Sequence, residues 1–280
     1  MYRILTKKIL TPSVSLMEIE APLITRHAKP GQFIMLRVDE VGERLPFTLA
    51  DVQRDKGTIS IIFQVVGAST HLLNQLHPGD ELADLVGPLG KPSELDHLDK
   101  VLVIGGGLGC AIAYPLVREC FDRQKVVHSI IGFREKAVVF MAEEFSKKSQ
   151  RSLLLTDDGS LGEKGLVTEA LERWLAEGET YDAIYAIGPL QMMKAVADLT
   201  RPKGIKTIVS MNPIMVDGTG MCGGCRVQVG GKVKFACVDG PEFDGHEVDF
   251  DEAIIRNQMY VQNEKSQYDH VCRLKRNDAK

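Results

Sequence analysis

Residues 101–124 read VLVIGGGLGCAIAYPLVRECFDRQ. Val101–Ile104 is a continuous apolar run, typical of a buried parallel strand, and residues 111–124 have the spacing of a helix. A strand, a glycine-rich turn and a helix in this order are typical of the first unit of a nucleotide-binding sheet, where loop N–H groups bind a pyrophosphate. The turn fits G-x-G-x-x-G only in part, because a cysteine stands in the third position. The candidate binding residues are Gly105, Gly106, Gly107, Leu108, Gly109 and Cys110.

The chain after residue 125 continues to alternate between apolar runs and helical patterns. The predicted strands are 126–133, 152–159, 183–189 and 206–211, and the predicted helices are 137–149, 166–178 and 191–200. This alternation favours a doubly wound parallel sheet, in which ligands bind beyond the carboxyl ends of the strands. Residues 188–192 are equally typical of an ordinary helix start with methionine in the core. The candidate nucleotide contacts at this edge are Arg134, Asp157, Asp158, Gly188, Pro189 and Met192.

The residues before this sheet have a different pattern of apolar and polar positions. Short alternating runs separated by turn residues extend from Tyr2 to about Leu95, which favours a small antiparallel β-barrel of six strands. Residues 44–48 combine a cation, a proline, an aromatic ring and a hydroxyl, which suits a phosphate and a planar ring. Residues 63–70 lead from a strand into a small-residue turn that opens a helix, which suits an anion. The alternatives are a surface arginine and an ordinary Ser/Thr cap. The candidate contacts are Arg44, Leu45, Pro46, Phe47, Thr48, Phe63, Gln64, Val65, Gly67, Ser69 and Thr70.

The glycine-rich segment from Met211 to Phe250 contains half of the cysteines. Cys222 and Cys225 form a C-x2-C pair, Cys237 follows after eleven residues, and Asp217 precedes the pair with four residues between. This spacing is similar to plant-type [2Fe–2S] ligation, with aspartate in place of the first cysteine. A zinc site with the same four ligands and a redox dithiol with an unrelated Cys237 are the alternatives. The four residues are therefore candidate metal ligands.

Composition limits the remaining possibilities. The 280 residues are 44% hydrophobic and 26% charged, which is typical of a globular protein of two or three domains. A net charge of −4 argues against nucleic acid or an anionic membrane as a partner. No signal peptide and no membrane span is visible, so the sequence predicts a cytoplasmic protein. Six cysteines are too few for a disulfide framework, and Cys110, Cys120 and Cys272 are expected to be isolated thiols.

The order of barrel, nucleotide sheet and cysteine segment resembles the ferredoxin-NADP reductase superfamily, in its branch of dihydroorotate dehydrogenase electron-transfer subunits. Asp217, RLPFTLAD and CVDGPEFDGHEVDFDEA are similar to the small-subunit family of NADH-dependent reduced ferredoxin:NADP oxidoreductases, which includes sulfide dehydrogenase subunits. The resemblance implies FAD at residues 44–48 and 63–70, NAD(H) at the glycine loops, and a [2Fe–2S] cluster on Asp217 and the three cysteines. It also implies a large glutamate-synthase-like flavoprotein partner, a heterodimer, and electron bifurcation with ferredoxin reached through the complex.

These observations predict three units: an FAD-binding barrel at 1–97, an NAD(P)-binding α/β domain at 98–210, and a cluster-binding segment at 211–280. Hydride passes between NAD(H) and FAD and single electrons pass through the cluster, so no side chain is assigned an acid–base role. Asp157 and Asp158 favour NAD, whereas Arg134 favours NADP, and the choice stays open. The alternatives are an electron-transfer subunit of a dihydroorotate dehydrogenase, a non-catalytic electron relay, and a zinc-stabilised structural protein.

Overall fold

The computed structural model describes residues 2–264, 266 and 268. It contains two antiparallel sheets near the N-terminus, a seven-stranded mixed sheet in the middle and a small hairpin near the C-terminus. The predicted combination of antiparallel β structure and a parallel α/β sheet is thereby confirmed. None of the helices in the described part of the chain is long and apolar enough to cross a membrane.

The N-terminal part has eight strands rather than the six predicted. One sheet has the order β5-β6-β2-β1-β7, and the other has the order β4-β3-β8. The strands are β1 (Tyr2–Thr11), β2 (Val14–Glu20), β3 (Phe33–Arg37), β4 (Arg44–Thr48), β5 (Asp51–Gln53), β6 (Thr58–Gln64), β7 (Glu81–Leu82) and β8 (Asp84–Leu89), with helices α1 (Pro22–Thr25) and α2 (Ala68–Leu73). The two sheets share one apolar core, which includes Ile34, Ile61 and Phe63.

The extra strands arise where the chain changes sheets. The run LPFTLADV is divided into β4 and β5, because Leu49 N–H donates to Gln32 O at 3.2 Å and Ala50 N–H donates to Ser60 O at 2.9 Å. The first bond is to the turn before β3 and the second is to β6. One apolar run therefore contributes a strand to each of the two sheets. Such a corner depends on partners distant in sequence, and alternation alone does not predict it.

The mixed sheet has the order β12-β11-β10-β9-β13-β14-β17. All neighbours are parallel except β14 and β17. Its elements are β9 (Lys100–Gly106), α3 (Gly109–Asp122), β10 (Val126–Phe133), α4 (Ala142–Lys147), β11 (Arg151–Thr156), β12 (Glu163–Lys164), α5 (Val167–Ala176), β13 (Ala183–Ile187), α6 (Leu190–Thr200) and β14 (Thr207–Ser210), with 3₁₀ turns at Lys136–Val138 and Arg201–Lys203. Because β9 is central and the chain winds outward on both sides, the predicted doubly wound sheet is confirmed.

Helix α4 is much shorter than the predicted 137–149. A 3₁₀ turn covers the first residues, and Met141 has a φ of +60°, a left-handed conformation that interrupts a right-handed helix. Val138 and Val139 precede this point, and β-branched residues favour extended backbone over helix. The apolar spacing of residues 137–149 therefore predicted a longer helix than the structure has.

The cysteine segment contributes β15 (Arg226–Val229), β16 (Lys232–Phe235), β17 (Glu242–Asp244) and α7 (Phe250–Asn257). β15 and β16 form a hairpin closed by Gly230 and Gly231, both with positive φ. β17 pairs antiparallel with β14 at the edge of the mixed sheet. The nucleotide sheet is thus not complete within 98–210, and the boundary predicted at 210/211 does not separate independent sheets.

The packing places the cysteines on a continuous core. Cys225 and Cys237 lie in the same buried cluster as the α5 and α6 face of the mixed sheet and as Phe33 and Met35 of β3. Cys110 and Cys120 are buried on the other face of the sheet, as expected for isolated thiols, and Cys272 lies outside the described residues. The three predicted units therefore share packed interfaces around the cysteine segment.

Candidate functional site

Two of the candidate metal ligands lie side by side. The Sγ atoms of Cys225 and Cys237 are 3.2 Å apart, and each residue is only 2% exposed. Burial, followed by the adjacent Cys225 thiol, raises the pKa of Cys237 to about 12. Iron binds the thiolate form, so a cluster would displace the proton of Cys237. The hairpin positions the pair, since one cysteine precedes β15 and the other follows β16.

Cys222 and Asp217 lie at the exposed end of the site. The Asp217 carboxylate accepts from the Cys222 N–H at 2.7 Å and from the Thr219 N–H at 2.6 Å. These bonds, the one from Thr219 first, lower the pKa of Asp217, so its carboxylate is ionised at neutral pH. A carboxylate has about four lone-pair sites, so both N–H bonds leave capacity for a metal.

Cys225 and Cys237 form the one close pair of ligand atoms among the four candidates in the described residues, and Asp217 contacts the backbone of Cys222. Within the described residues, no three His, Cys, Asp or Glu side chains are close enough to bind a single metal ion. A zinc site needs four ligands around one ion, whereas a two-iron cluster takes two ligands on each iron. A two-iron cluster therefore does not require the four side chains to surround one point.

Two arginines that the sequence analysis did not identify contact the loop between the cysteines. Arg226 Nη1 donates to Gly223 O at 2.8 Å, and Arg256 Nη2 donates to Gly224 O at 3.3 Å. Arg226 follows Cys225 directly, and its place in the hairpin was recognisable from RVQVGGKVKF, in which Gly-Gly separates two alternating runs. No sequence signal connects Arg256 with this loop, because α7 reaches it only through the tertiary fold.

The predicted nucleotide contacts come together at one edge of the mixed sheet, here called the nucleotide edge: residues 105–110, 134, 157–158 and 188–192. Strands β9, β10, β11 and β13 are parallel, so their carboxyl ends lie at this edge. Two of the loops touch, since a Cβ on Gly188 would lie 3.0 Å from Gly106 O. The Gly107 N–H donates to Gly132 O at 2.9 Å, which joins the first loop to β10.

Glycine is required at this edge for close packing. A Cβ on Gly109 would lie 2.2 Å from Ile187 O, and one on Gly106 would lie 2.4 Å from Met192 Sδ. Gly109 thus allows the close approach of helix and strand that the third glycine of the fingerprint normally provides. Its neighbour Cys110 is fully buried and its thiol faces the core, so only the backbone of Cys110 is available to a nucleotide.

The polar candidate residues at the nucleotide edge differ in their hydrogen-bond partners. The Asp158 carboxylate accepts from the N–H and the hydroxyl of Ser160 at 3.0 and 2.7 Å, and these bonds lower its pKa. Its own N–H donates to Arg134 O at 3.3 Å. Arg134 and Asp157 are exposed, and Met192 is half-buried against the glycine loop. A cation and a carboxylate thus lie at the ends of neighbouring strands β10 and β11.

The predicted flavin contacts divide between the two N-terminal sheets. Phe47 on β4 and Phe63 on β6 are in tilted ring contact, with centroids 5.8 Å apart. Residues 45–48 are half-buried, whereas Arg44 is exposed and its Nη2 lies 3.4 Å from Asp84 Oδ2. Gln64, Val65 and Gly67 are also half-buried, and a Cβ on Gly67 would meet nothing within 4 Å. Except for buried Phe63 and exposed Arg44, these candidates are therefore partly accessible.

The hydroxyls predicted for this region have protein partners. Thr70 Oγ1 accepts from the N–H groups of Val66 and Gly67 at 3.1 and 3.0 Å, and Ser69 Oγ donates to Glu43 Oε2 at 2.6 Å. The N-cap of α2 is thus Gly67, and Thr70 at the third helical position binds back to it, so the cap differs from the Ser/Thr N-cap of the alternative interpretation. Ser69 can contact another group only where that group joins or replaces Glu43.

The comparisons with known proteins agree with this arrangement. Residues 212–249 match the iron–sulfur cluster binding domain of dihydroorotate dehydrogenase B. The chain is 45% identical over 255 residues to a dihydroorotate dehydrogenase B electron-transfer subunit homologue of Thermotoga maritima, covering 91% of this chain and 90% of that one. It is 35% identical to the electron-transfer subunit of Geobacillus thermodenitrificans, covering 82% and 90%. The chain belongs to the family of dihydroorotate dehydrogenase B electron-transfer subunits.

Within this family, one solved structure is especially similar. A chain from the structure of an NADH-dependent reduced ferredoxin-NADP oxidoreductase, described for flavin-based electron bifurcation, superposes with a TM-score of 0.91. It is 42% identical, and the match covers 96% of this chain and 97% of that one. A cytochrome P450 reductase, at 21% identity and a TM-score of 0.61, shares the fold. The protein is therefore a flavin and iron–sulfur electron-transfer subunit, and the predicted cofactor set of FAD, [2Fe–2S] and NAD(H) agrees with these matches.

Proposed function

We propose that this family member exchanges hydride with NAD(H) at FAD and single electrons, through a [2Fe–2S] cluster, with a large flavoprotein partner. The complex would be an electron-bifurcating NADH-dependent ferredoxin:NADP oxidoreductase. The observation that carries the proposal is the arrangement of Asp217 and Cys222 beside the Cys225–Cys237 pair, in a chain so similar to one from that kind of enzyme.

Asp217, Cys222, Cys225 and Cys237 would hold the cluster. The S···S separation of 3.2 Å supports a shared iron for Cys225 and Cys237, and Asp217 and Cys222 would bind the other. The Gly224 N–H lies 3.4 Å from Cys222 Sγ, so the loop already directs a donor at sulfur. When bound, the cluster supplies one-electron transfer. The chain's part is to present four anionic ligands and to leave the Cys222 end near the surface.

The barrel and the nucleotide edge would hold the two organic cofactors. Pro46, Phe47 and Thr48 would flank the flavin ring, with Arg44, Leu45, residues 63–65, Gly67, Ser69 and Thr70 around it. The backbone of residues 105–110, with residues 188–192, would bind the NAD(H) pyrophosphate. Arg134, Asp157 and Asp158 would lie near its adenosine ribose. FAD supplies the conversion between hydride and single electrons, and the chain supplies position and the exclusion of water.

The partner would be a large glutamate-synthase-like flavoprotein that forms a heterodimer with this chain and connects it to ferredoxin. The similarity to a chain of a bifurcating enzyme and to electron-transfer subunits supports a partner of this kind. The units 1–97, 98–210 and 211–280 would divide the work as FAD, nucleotide and cluster units. Localisation in the cytoplasm stays a prediction from the sequence.

An absorption spectrum of freshly purified full-length protein tests the proposal first. We expect flavin absorption near 450 nm on an iron–sulfur background, and bleaching of both on addition of NADH. A colourless preparation that retains zinc would contradict the redox function. Bound flavin that NADH does not bleach would instead indicate a relay module.

The Asp217→Cys variant tests the unusual ligand. Thiolate donates more electron density than carboxylate, so we expect a changed EPR spectrum of the reduced cluster and a changed midpoint potential. Ligation by Asp217 is to be abandoned if both stay as in the wild type.

A second candidate function is electron transfer for a dihydroorotate dehydrogenase, because the family members that share 30–35% identity have that name. The purified complex distinguishes the two. NADH-dependent reduction of ferredoxin supports the first function, and NAD⁺-dependent oxidation of dihydroorotate supports the second.

A further inference from the structure

Two guanidinium groups bind the outer side of the turn that separates Cys222 from Cys225. This turn consists of Gly223 and Gly224, and each of their carbonyl oxygens accepts one arginine N–H. Arg226 comes from the start of β15, and Arg256 comes from the last turn of α7. Both carbonyls of the turn are therefore fixed by elements outside it.

Fixing a carbonyl also fixes the N–H of the same peptide group. A trans peptide is planar, so its C=O and N–H point in opposite directions. With Gly223 O bound to Arg226 on the outside, the Gly224 N–H is directed inward, where it lies 3.4 Å from Cys222 Sγ. In the same way Arg256, through Gly224 O, holds the peptide that carries the Cys225 N–H. N–H groups directed at sulfur stabilise the extra negative charge of a reduced cluster.

The contacts that fix the two guanidinium groups are to carbonyl oxygens rather than to carboxylates. In the described part of the chain, the ion pairs include neither Arg226 nor Arg256. Arg256 is half-buried, which reduces solvent screening of its charge, whereas Arg226 is exposed. Cation and cluster ligands are separated by a single peptide group in each case, so the charge lies close to the ligands.

We propose that Arg226 and Arg256 are positioning residues that hold the Gly223–Gly224 turn around the cluster and raise its midpoint potential. The inference rests on the proposed cluster and deepens it. One-electron uptake adds a negative charge at the cysteines, and fixed N–H dipoles together with two nearby cations stabilise that charge. The half-buried Arg256 contributes more than the exposed Arg226, and it makes the cluster sensitive to the position of α7.

The test compares full-length, cluster-loaded variants by redox titration followed by EPR, and by the rate at which an iron chelator removes the cluster. Arg256→Gln keeps an N–H donor but removes the charge, and Arg256→Lys keeps the charge but loses the planar fork. Arg226→Gln repeats the charge removal at the exposed site. Arg201→Gln is the matched control, because Arg201 Nη1 also binds a backbone carbonyl, His246 O at 2.7 Å, outside the cysteine turn.

We expect the midpoint potential to become more negative in Arg256→Gln and, by a smaller shift, in Arg226→Gln. Arg256→Lys should keep a potential close to that of the wild type but lose its cluster several-fold faster, and Arg201→Gln should change neither quantity. Unchanged potentials in both Gln variants overturn the proposal even if cluster loss accelerates, because a merely structural role would explain faster loss. A wild-type chain without a cluster would instead overturn the proposed function.

Discussion

Glycine serves different purposes at the nucleotide edge and in the cysteine loop. At the edge, Gly106 and Gly109 leave no room for a Cβ, because neighbouring backbone and Met192 already occupy that space. In the loop, Gly220 and Gly223 have positive φ, and polar side chains hold the backbone in place. The first site is thus fixed by the packing of the fold, whereas the second is held by hydrogen bonds. Substitutions should therefore affect folding at the edge and cofactor retention in the loop.

The largest effect is expected for Gly109→Ala. Its Cβ would lie 2.2 Å from Ile187 O, so helix α3 must move from β13, at a cost of about 3 kcal/mol or more. Urea unfolding and NADH titration measure both consequences. Gly107→Ala is the control at the same edge, since its Cβ meets nothing within 4 Å and only its φ of +54° is unfavourable, at about 1 kcal/mol. Equal losses in the two variants would contradict the packing argument.

Cys222→Ser should separate cofactor retention from folding. The side chain is exposed, so the free energy of unfolding of the cluster-free chain should change by less than about 0.5 kcal/mol. The cluster should nevertheless be lost or strongly altered, because one of its four ligands is replaced. Iron content and EPR measure the second effect. A variant that binds iron normally would remove Cys222 from the ligand set.

Glu242→Gln tests the junction of the units. Burial, and to a lesser degree Glu94, raises the pKa of Glu242 to about 7, and Ser93 Oγ donates to its Oε1 at 2.7 Å. The folded chain thus holds a proton that the unfolded chain releases near pH 4.5, so wild-type stability falls as pH rises from about 4.5 to 7. Gln removes this loss and should be more stable than the wild type by about 3 kcal/mol at pH 8, but not at pH 4.5.

Denaturant unfolding of the two proteins at pH 4.5 and 8 measures that difference. An equal stability difference at both pH values would show that ionisation of Glu242 does not matter. Ser93→Ala is a useful companion, because it removes the donor to Glu242 and leaves the carboxyl in place.

Arg44→Gln should have the smallest effect on stability. Its pair with Asp84 is exposed and 3.4 Å long, and such pairs contribute about 0–1 kcal/mol. If Arg44 binds the flavin phosphate, FAD affinity should fall several-fold all the same. Asp84→Asn, which frees Arg44, should leave the affinity unchanged or increase it. Fluorescence titration with FAD compares the three proteins. Equal affinities would show that Arg44 is a surface residue that does not bind FAD.

The sequence predicted those parts of the fold that rest on local periodicity. The strand at 126–133 has the predicted bounds, and the predicted nucleotide residues lie at one sheet edge. The division of residues 45–52, the short α4 and strand β17 were not predicted, because each depends on partners far away in the chain.

The candidate ligands were found because their chemistry and spacing are both local. Arg256 was missed because α7 meets the cysteine loop only after the hairpin and β17 have brought it back. Ser69 and Thr70 were named as flavin contacts from the sequence. Their bonds to Glu43 and to the start of α2 could not be predicted from the sequence, because they depend on the tertiary fold. Spacing thus names candidate metal ligands more readily than the residues that hold those candidates in place.

Strand β17 belongs to the cysteine segment but completes the nucleotide sheet, so these two parts of the chain share one sheet. Cutting the chain after residue 210 would leave β14 with one open side, and unpaired sheet edges promote association with other chains. A shortened protein meant to retain only flavin and nucleotide chemistry should therefore aggregate unless a substitute strand covers that side. A relative that lost the cysteines and the cluster would likewise need residues 242–244, or another strand in their place, to pair with β14.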